Sequence, residues 1–259
     1  MTPVLHSLPS APFVYIVGAG PGDSELLTIK AHRLITSVAQ LVIYDRLVPD
    51  EIIDLIPPHI DKIYAGKSCR NHTMTQDEIN ALLISEAKKN RIIVRLKGGD
   101  PFIFGRGGEE AQCLSQHHIP FEIVPGISAA AACSAVMGIP LTHRGLASSV
   151  RYITGHCQKG QELVLDWRGL ANLDTTLVIY MGLANLEKIA TNLIAAGLPK
   201  DTPAAAIQSA TTTDQRLLIA PLYQLTNAVK TASLSSPTLI IIGKVVTLSS
   251  TPHDAIITK

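Results

Sequence analysis

Short apolar runs alternate with longer amphipathic stretches along the first half of the chain. Five of these runs have the length of buried strands, at residues 13–17, 41–44, 60–65, 92–96 and 121–124. Helical stretches separate them, and one begins at Thr75 with Glu78 three residues later, which is the pattern of a capping box. Strands that alternate with helices predict an α/β fold with a mainly parallel sheet.

The second half of the chain predicts another α/β unit, this time with a mixed sheet. Its apolar runs lie at residues 150–154, 177–181, 204–208, 216–220 and 239–246. Polar pairs such as Gln215-Arg216 and Gly243-Lys244 indicate turns between antiparallel strands. The two halves therefore differ in the way their strands are joined.

A domain boundary is predicted where glycine and proline interrupt the chain, at Gly138 and Pro140. We expect four segments: an irregular tail at 1–12, an N-terminal α/β domain at 13–138, a C-terminal α/β domain at 139–248 and a second tail at 249–259. The last of these is polar, and chain ends of this kind are usually poorly held.

Residues 95–110, RLKGGDPFIFGRGGEE, form the most unusual stretch of the sequence. Glycine loses more backbone freedom on folding than any other residue, so a glycine-rich loop indicates that the main chain lies close to something. The loop follows the strand predicted at 92–96, and open α/β sheets bind ligands at such carboxyl ends. We expect its main chain to wrap a small cofactor, with Lys97 and Arg106 facing an acidic partner.

Two further glycine-bearing turns follow predicted strands, GAGPGD at 18–23 and Pro125-Gly126. The first imitates a dinucleotide-binding fingerprint, but Asp23 occupies the third glycine position, where a carboxylate would repel a pyrophosphate. Asp45, at the end of the second predicted strand, could bind a ribose hydroxyl, so a dinucleotide ligand stays an alternative. The same carboxylate could instead act as a base or cap its own turn.

Composition narrows the function classes. The 259 residues include 22 basic and 21 acidic side chains and only 4% aromatic residues, which argues against nucleic-acid and membrane-surface binding. The four cysteines form no CxxC pair and no HExxH motif occurs, so neither a disulfide framework nor a metal site is predicted. The scattered cysteines predict a reduced, cytoplasmic protein. The N-terminal residues lack the basic start and long apolar run of a signal peptide or membrane span.

Six motifs, taken in order, resemble the tetrapyrrole methylase family. They are VGAGPGD (17–23), YDRLV (44–48), RLKGGDPFIFGRGGEE (95–110), VPGISAA with GIPLTHRG (124–145), YMG (180–182) and SPTLIIIGKVV (236–246). The first and third occur across that family. YDRLV, GRGGEE and GIPLTHR are more specific to the branch that methylates uroporphyrinogen III, and the resemblance covers nearly the whole chain.

The resemblance implies two α/β domains with the cofactor in a cleft between them, usually in a homodimer. The implied reaction is methyl transfer from S-adenosyl-L-methionine to C2 and then C7 of uroporphyrinogen III. It gives precorrin-2, for siroheme- and cobalamin-type tetrapyrrole biosynthesis, and leaves S-adenosyl-L-homocysteine. This chemistry requires no metal and no protein nucleophile.

The resemblance also carries site residues to this chain. Nine positions are expected to contact the cofactor: Pro21, Gly98, Gly99, Asp100, Ile103, Ser128, Ala129, Met181 and Ala210. Ser128 stands where the family often has threonine and keeps the hydroxyl, whereas Ala210 stands where glycine is frequent. Asp45 and Lys67 match positions with proton-transfer roles.

The macrocyclic substrate carries eight carboxylates, which arginine side chains bind bidentately. The arginines expected to bind them are Arg46, Arg106, Arg144 and Arg151. Because Arg106 lies in the central glycine-rich loop, we also expect it to act at the catalytic centre, by anchoring a carboxylate beside the reacting ring.

Three alternatives stay open. The fold also serves methylases of precorrin-4, of a diphthine precursor and of ribosomal RNA, although the low positive charge argues against RNA. A nicotinamide or flavin oxidoreductase would use the GAGPG turn and Asp45. The third alternative is a non-catalytic protein that senses S-adenosylmethionine, against which Asp45, Lys67 and Arg106 argue together.

Overall fold

A computed structural model describes residues 11–66, 74–156 and 162–250, and the backbone of 257–258. The chain separates into two compact units, Met1–Ser128 and Ala129–Lys259. The first contains a parallel sheet and the second a mixed sheet, with helices in both. The α/β fold class and the two kinds of sheet expected from the sequence are confirmed.

The sheet of the first unit has five described strands. They are β1 (Phe13–Gly18), β2 (Leu41–Tyr44), β3 (Asp61–Tyr64), β4 (Ile92–Lys97) and β5 (Phe121–Val124). Their order across the sheet is β3-β2-β4-β1-β5, and every neighbouring pair is parallel. The carboxyl ends of all these strands therefore meet at one edge, where α/β sheets bind ligands.

Helices connect the strands of the first unit. They are α1 (Ile29–Arg33), α2 (Asp50–Ile53), α3 (Gln76–Ala87) and α4 (Gly107–Gln116). The predicted capping box is present at α3, where the Thr75 hydroxyl accepts from the Glu78 N–H and the Glu78 carboxylate accepts from the Thr75 N–H. Two N–H groups that the helix leaves unpaired are thereby satisfied, which fixes where α3 begins.

Both faces of this sheet are covered, because successive residues of each strand point to opposite sides. In β4, Val94 packs into the core on one side, and Ile93 packs into the core on the other, with Leu83 of α3 and Leu114 of α4. The same alternation places Arg95 on the side of Ile93. A charged side chain therefore occupies a position where the pattern of the strand would normally place an apolar one.

The second unit contains a six-stranded mixed sheet. Its strands are β6 (Ser149–Thr154), β7 (Thr175–Tyr180), β8 (Pro203–Gln208), β9 (Arg216–Pro221), β10 (Thr238–Ile242) and β11 (Ile257–Thr258). Their order is β11-β9-β8-β10-β7-β6, with β6 and β7 parallel and the other described pairs antiparallel. Its helices are α5 (Ala129–Met137), α6 (Trp167–Leu170), α7 (Leu186–Ala195) and α8 (Leu222–Thr231).

Two features of the second unit differ from the prediction. The strand expected at 239–246 ends at Ile242, because Gly243 has a φ of 151° and the chain turns into a 3-10 helix, Lys244–Leu248. Helix α8 was not predicted. Its buried residues Leu222, Leu225 and Val229 recur at helical spacing, which was the available signal.

The boundary between the units lies before α5, whereas the sequence predicted it near residues 138–140. Ala130 and Met137 of α5 are buried in the same apolar cluster as Val178 of β7 and Ile241 of β10. Buried contacts decide which unit a helix belongs to. The glycine and proline that predicted a domain boundary lie after α5, inside the second unit.

Two kinds of feature are absent from the described part of the chain. Within residues 11–66, 74–156 and 162–250, no group of three His, Cys, Asp or Glu side chains is arranged to hold a metal ion. In the same ranges no helix combines the length and the apolar character needed to cross a bilayer. The longest one there, α3, has 12 residues, whereas a spanning helix needs about 20.

Candidate active site

Three glycine-bearing loops of the first unit meet at one edge of its sheet. They follow β4, β1 and β5, which are neighbours in the sheet. Gly20 and Gly99 exchange two backbone hydrogen bonds, with N–O distances of 3.2 and 2.6 Å. The Gly126 N–H donates to the Asp100 carboxylate at 3.1 Å. The loops to which the sequence assigned cofactor contacts therefore form one connected structure.

Glycine is needed in these loops because they touch through their main chains. A Cβ on Gly126 would lie 2.3 Å from the carbonyl oxygen of Gly99, and a Cβ on Gly18 would lie 2.6 Å from the same oxygen. A Cβ on Gly98 would lie 2.6 Å from the Cβ of Leu47. From the sequence alone, such glycines are expected where the main chain lies close to a ligand. Packing of loop on loop is a second cause, which only the tertiary structure reveals.

Asp100 holds two turns in place. Its Oδ1 accepts from the Phe102 N–H at 2.8 Å and its Oδ2 from the Gly126 N–H at 3.1 Å. Each carboxylate oxygen has a further lone pair, so acceptor capacity remains for the cofactor ammonium group expected there. Two other expected cofactor positions of this unit, Pro21 and Ile103, are half-buried.

Non-glycine residues with left-handed backbone mark the expected cofactor loops. In the first unit, Phe104 and Arg106 have φ values of 53° and 59°. In the second unit, Met181 follows β7 with a φ of 52°, and Ser209 and Thr211 follow β8 with φ values of 46° and 69°. Such conformations cost about 1–3 kcal/mol each and cluster at functional sites. The other left-handed non-glycine residues of the described chain lie just after α3, α4 and α8, where helix ends favour them.

The expected cofactor positions of the second unit lie at the ends of strands and at the start of a helix. Ala129 begins α5, and the Ala130 N–H donates to the Tyr180 hydroxyl at 3.1 Å. Because Met181 directly follows Tyr180, this bond ties the start of α5 to the turn that contains Met181, whose side chain is 50% exposed. Ala210 is buried in the turn after β8.

Four charged residues form a network at the α3 and α4 side of the sheet, which we call the charge cluster: Asp45, Arg95, Lys97 and Glu110. Glu110 Oε1 accepts from Arg95 Nε at 3.1 Å and from Lys97 Nζ at 2.8 Å. Arg95 Nη2 donates to Asp45 Oδ2 at 3.1 Å. Arg95, Lys97 and Glu110 are 2%, 4% and 0% exposed, whereas the side chain of Asp45 is 25% exposed.

Lys97 faces an acidic partner, as the sequence predicted, and that partner is Glu110 of the same chain. Burial, and after it the neighbouring Arg95 guanidinium, lowers the pKa of Lys97 from its usual 10.5, against the attraction of Glu110. Sequence reasoning missed the cluster, although a signal was present. Arg95 and Lys97 occupy alternate positions of an apolar strand, and alternate positions share one covered face.

Asp45 occupies the turn after β2 and has two protein partners. Its Oδ1 accepts from the Leu47 N–H at 3.1 Å, which caps the turn, and its Oδ2 pairs with Arg95. Asp45 therefore caps its own turn, which is one of the roles that the sequence left open. Because the side chain keeps a quarter of its surface exposed, it remains accessible at the sheet edge. Its role as a base stays a prediction.

The four arginines expected to bind substrate are exposed: Arg46, Arg106, Arg144 and Arg151. Arg106 pairs with Glu109 at 2.6 Å, and Arg151 donates to the Gly169 carbonyl at 2.8 Å. Arg144 lines an open groove of about 680 Å³ in the second unit. Arg46 and Arg106 belong to the first unit, and the other two belong to the second.

Two further site residues were predicted from the sequence. Lys67 lies outside the described residues, so its role in proton transfer stays a prediction. Ser128 is half-buried and is the last residue of the first unit, directly before α5. Its predicted contact with the cofactor likewise stays a prediction.

We predict that Gly126→Ala lowers the free energy of unfolding by about 1–3 kcal/mol, because the new Cβ must displace the Gly99 carbonyl. It should also weaken binding of S-adenosyl-L-homocysteine in calorimetric titrations. Gly108→Ala is the matched control, since a Cβ added at this position of α4 would meet nothing within 4 Å. That change should stabilise the protein by about 0.5–1 kcal/mol. Equal effects of the two substitutions would contradict the role of loop packing.

The lowered pKa of Lys97 predicts a pH dependence of stability. Below 10.5 the folded chain releases this proton before the unfolded chain does, so the unfolded state binds more protons and stability rises with pH. Urea unfolding of the wild type and of Lys97→Met, measured from neutral pH upward, isolates this contribution. The stability of the wild type relative to the variant should rise as the pH approaches 10.5. A constant difference would contradict the prediction.

Comparison with known proteins places the chain among methylases. Residues 14–226 match the family described as tetrapyrrole (corrin/porphyrin) methylases. Over 235 residues the chain is 52% identical to a siroheme synthase of Nitrosomonas eutropha, a match that covers 91% of this chain and 49% of the relative. Over 242 residues it is 50% identical to the chloroplastic S-adenosyl-L-methionine-dependent uroporphyrinogen III methyltransferase of Arabidopsis thaliana, covering 93% of this chain and 65% of the relative. The chain thus spans about half to two thirds of the length of these curated relatives.

A solved structure matches almost from end to end. It is the uroporphyrin-III C-methyl transferase from Thermus thermophilus complexed with S-adenyl homocysteine, with a TM-score of 0.79 and 38% identity. The match covers 94% of this chain and 97% of that one. Sequence and fold therefore agree over most of the chain, which belongs to the tetrapyrrole (corrin/porphyrin) methylase family.

Proposed function

We propose that the chain methylates uroporphyrinogen III at C2 and then at C7, with S-adenosyl-L-methionine as donor, and so forms precorrin-2 for siroheme- and cobalamin-type tetrapyrrole biosynthesis. The observation that carries the proposal is the end-to-end match, at 38% identity, to a methyltransferase that holds S-adenyl homocysteine. The names of the plant and Nitrosomonas relatives support the same substrate and the siroheme branch.

The residues present fit the proposed cofactor. At the end of β4, Asp100 retains acceptor capacity for an ammonium group. In the second unit, Met181 and the turn around Ala210 offer the other expected contacts. Bound S-adenosyl-L-methionine supplies an electrophilic methyl group on a sulfonium, which requires no metal.

In the proposed reaction, a pyrrole β-carbon attacks the methyl carbon. A C–C bond forms as the S–C bond breaks, and the bonding electron pair stays on sulfur as the neutral thioether. The attack leaves a positive charge on the macrocycle. Because every ring β-carbon already bears a carboxylate side chain, the methylated carbon carries no proton, and the macrocycle releases a proton from another position to a general base, which neutralises it. Asp45 is the proposed base, because it is an accessible carboxylate whose two oxygens are already oriented by Leu47 and Arg95.

Substrate carboxylates are proposed to pair with the four exposed arginines, and proton transfer is proposed to involve Lys67. Arginine forks suit this task because they bind carboxylates through two parallel hydrogen bonds. A homodimer and a cytoplasmic location complete the proposal. The near-neutral composition, with 22 basic and 21 acidic side chains, supports a small-molecule substrate over a nucleic acid.

Incubation with S-adenosyl-L-methionine and enzymatically generated uroporphyrinogen III, without oxygen, tests the proposal. Mass spectrometry should detect a product with two added methyl groups and two molecules of S-adenosyl-L-homocysteine for each molecule of product. Reactions with a precorrin-4 substrate and with nicotinamide cofactors serve as controls and should give no turnover. Turnover of precorrin-4 alone would instead assign the chain to another methylase of the same fold.

We predict that Arg106→Lys lowers turnover while leaving the affinity for S-adenosyl-L-methionine nearly unchanged. The Arg106 side chain is 55% exposed and pairs with the similarly exposed Glu109 three residues later, so the guanidinium can exchange this partner for a substrate carboxylate. Lysine keeps the charge and loses the bidentate geometry. Steady-state kinetics and calorimetric titration of the cofactor measure the two quantities. Unchanged turnover would remove Arg106 from the site.

A further inference from the structure

With all four side chains charged, the charge cluster has no net charge. Arg95 and Lys97 carry two positive charges, Glu110 carries one negative charge, and Asp45 supplies the second. Lys97 and Arg95 both donate a hydrogen bond to the same oxygen, Glu110 Oε1. Arg95 also donates to Asp45. The buried charges are thus connected to the sheet edge through the Arg95 side chain.

Stability alone does not explain such a network. Removing charges from water is expensive, and buried ion pairs replaced by well-packed apolar residues often leave a protein equally or more stable. The cluster is also incompletely satisfied, because Glu110 Oε2 is buried without a hydrogen-bond partner in the described part of the chain. An apolar residue at position 95 would continue the pattern of Ile93. The arginine therefore calls for a role beyond packing.

Arg95 is held at every nitrogen of its guanidinium group. Nε donates to Glu110, and Nη1 donates to the carbonyls of Leu96 at 3.0 Å and of Ile43 at 3.4 Å. This leaves Nη2 for Asp45 Oδ2. A planar fork fixed on three sides cannot reorient without breaking buried bonds, so the position of its fourth contact is set by the fold.

We propose that Arg95 is a positioning residue for Asp45. It fixes Oδ2 of that carboxylate while the Leu47 N–H fixes Oδ1, and it thereby aims the remaining lone pairs at the sheet edge. Glu110 acts one step further away, by anchoring Arg95. The inference rests on the proposed function, in which Asp45 accepts the proton that the methylated macrocycle releases.

A double-mutant cycle tests the proposal in the full-length chain, with uroporphyrinogen III and S-adenosyl-L-methionine as substrates. Asp45→Asn should lower kcat by about 10² or more, since general-base catalysis contributes about 10²–10⁴. Arg95→Lys keeps the charge and loses the fork, and should lower kcat by up to about 10² without changing the KM for the cofactor. In the Asp45→Asn background, Arg95→Lys should cause little further loss, because the two residues act as one unit.

Arg91→Lys is the matched control, because Arg91 pairs with Asp61 and Glu86 outside the charge cluster. It should leave kcat unchanged. Titration with S-adenosyl-L-homocysteine reports whether each variant is folded. If Arg95→Lys fails to bind it, Glu110→Gln takes its place in the cycle, since this change weakens the anchor of Arg95 and keeps the pair with Asp45.

The outcomes separate the two claims. If the wild type transfers no methyl group to uroporphyrinogen III, the proposed function is wrong and this inference is wrong with it. If the wild type is active and Asp45→Asn retains full activity, or the effects of the two substitutions multiply, the inference about Arg95 alone is wrong. The positioning role of Arg95 is supported if Arg95→Lys lowers kcat in the wild-type background and does not lower it further in the Asp45→Asn background.

Discussion

Contact between main chains at the edge of the first sheet is the constraint on which the candidate site depends. Gly99 and Gly126 belong to the loops after β4 and β5, and Gly18 is the last residue of β1 between these strands. A Cβ on Gly18 or Gly126 would collide with the facing backbone. Parallel strand order brings these loops together, and glycine allows them to touch. The side chains that follow, above all Asp100, are then positioned by hydrogen bonds between loops and not by any one loop alone.

Ion pairs connect a carboxylate at this edge, Asp45, to charged side chains in the interior of the first unit. Arg95 and Lys97 lie on the covered face of β4, where apolar residues would satisfy packing, and Glu110 of α4 neutralises part of their charge. The remaining negative charge is supplied by Asp45, which is also the member that solvent reaches. The network orients this accessible carboxylate before the substrate arrives, in keeping with its proposed role as a proton acceptor. This arrangement links the stability of the fold to the proposed chemistry.

Left-handed backbone at non-glycine residues marks turns of both units that are expected to bind the cofactor. Phe104 and Arg106 in the first unit, and Met181, Ser209 and Thr211 in the second, adopt left-handed conformations in loops that follow strands, without being glycine. These turns are also the ones that the family resemblance assigns to the cofactor. Conformations of this cost persist only where the surrounding structure holds them, so they provide a physical reason, independent of the resemblance, to place binding there.

The sequence by itself determined the α/β class, the parallel and mixed sheets, the capping box at Thr75 and the family, because period, turn residues and motifs are local properties of the chain. Only the tertiary structure decided that α5 packs with the second sheet, that Lys97 pairs with Glu110, and that the glycines serve contact between loops. Each of these depends on residues distant in sequence. The local sequence pattern predicts that a residue is buried or charged. Which residue it contacts is decided only when strands and helices pack together.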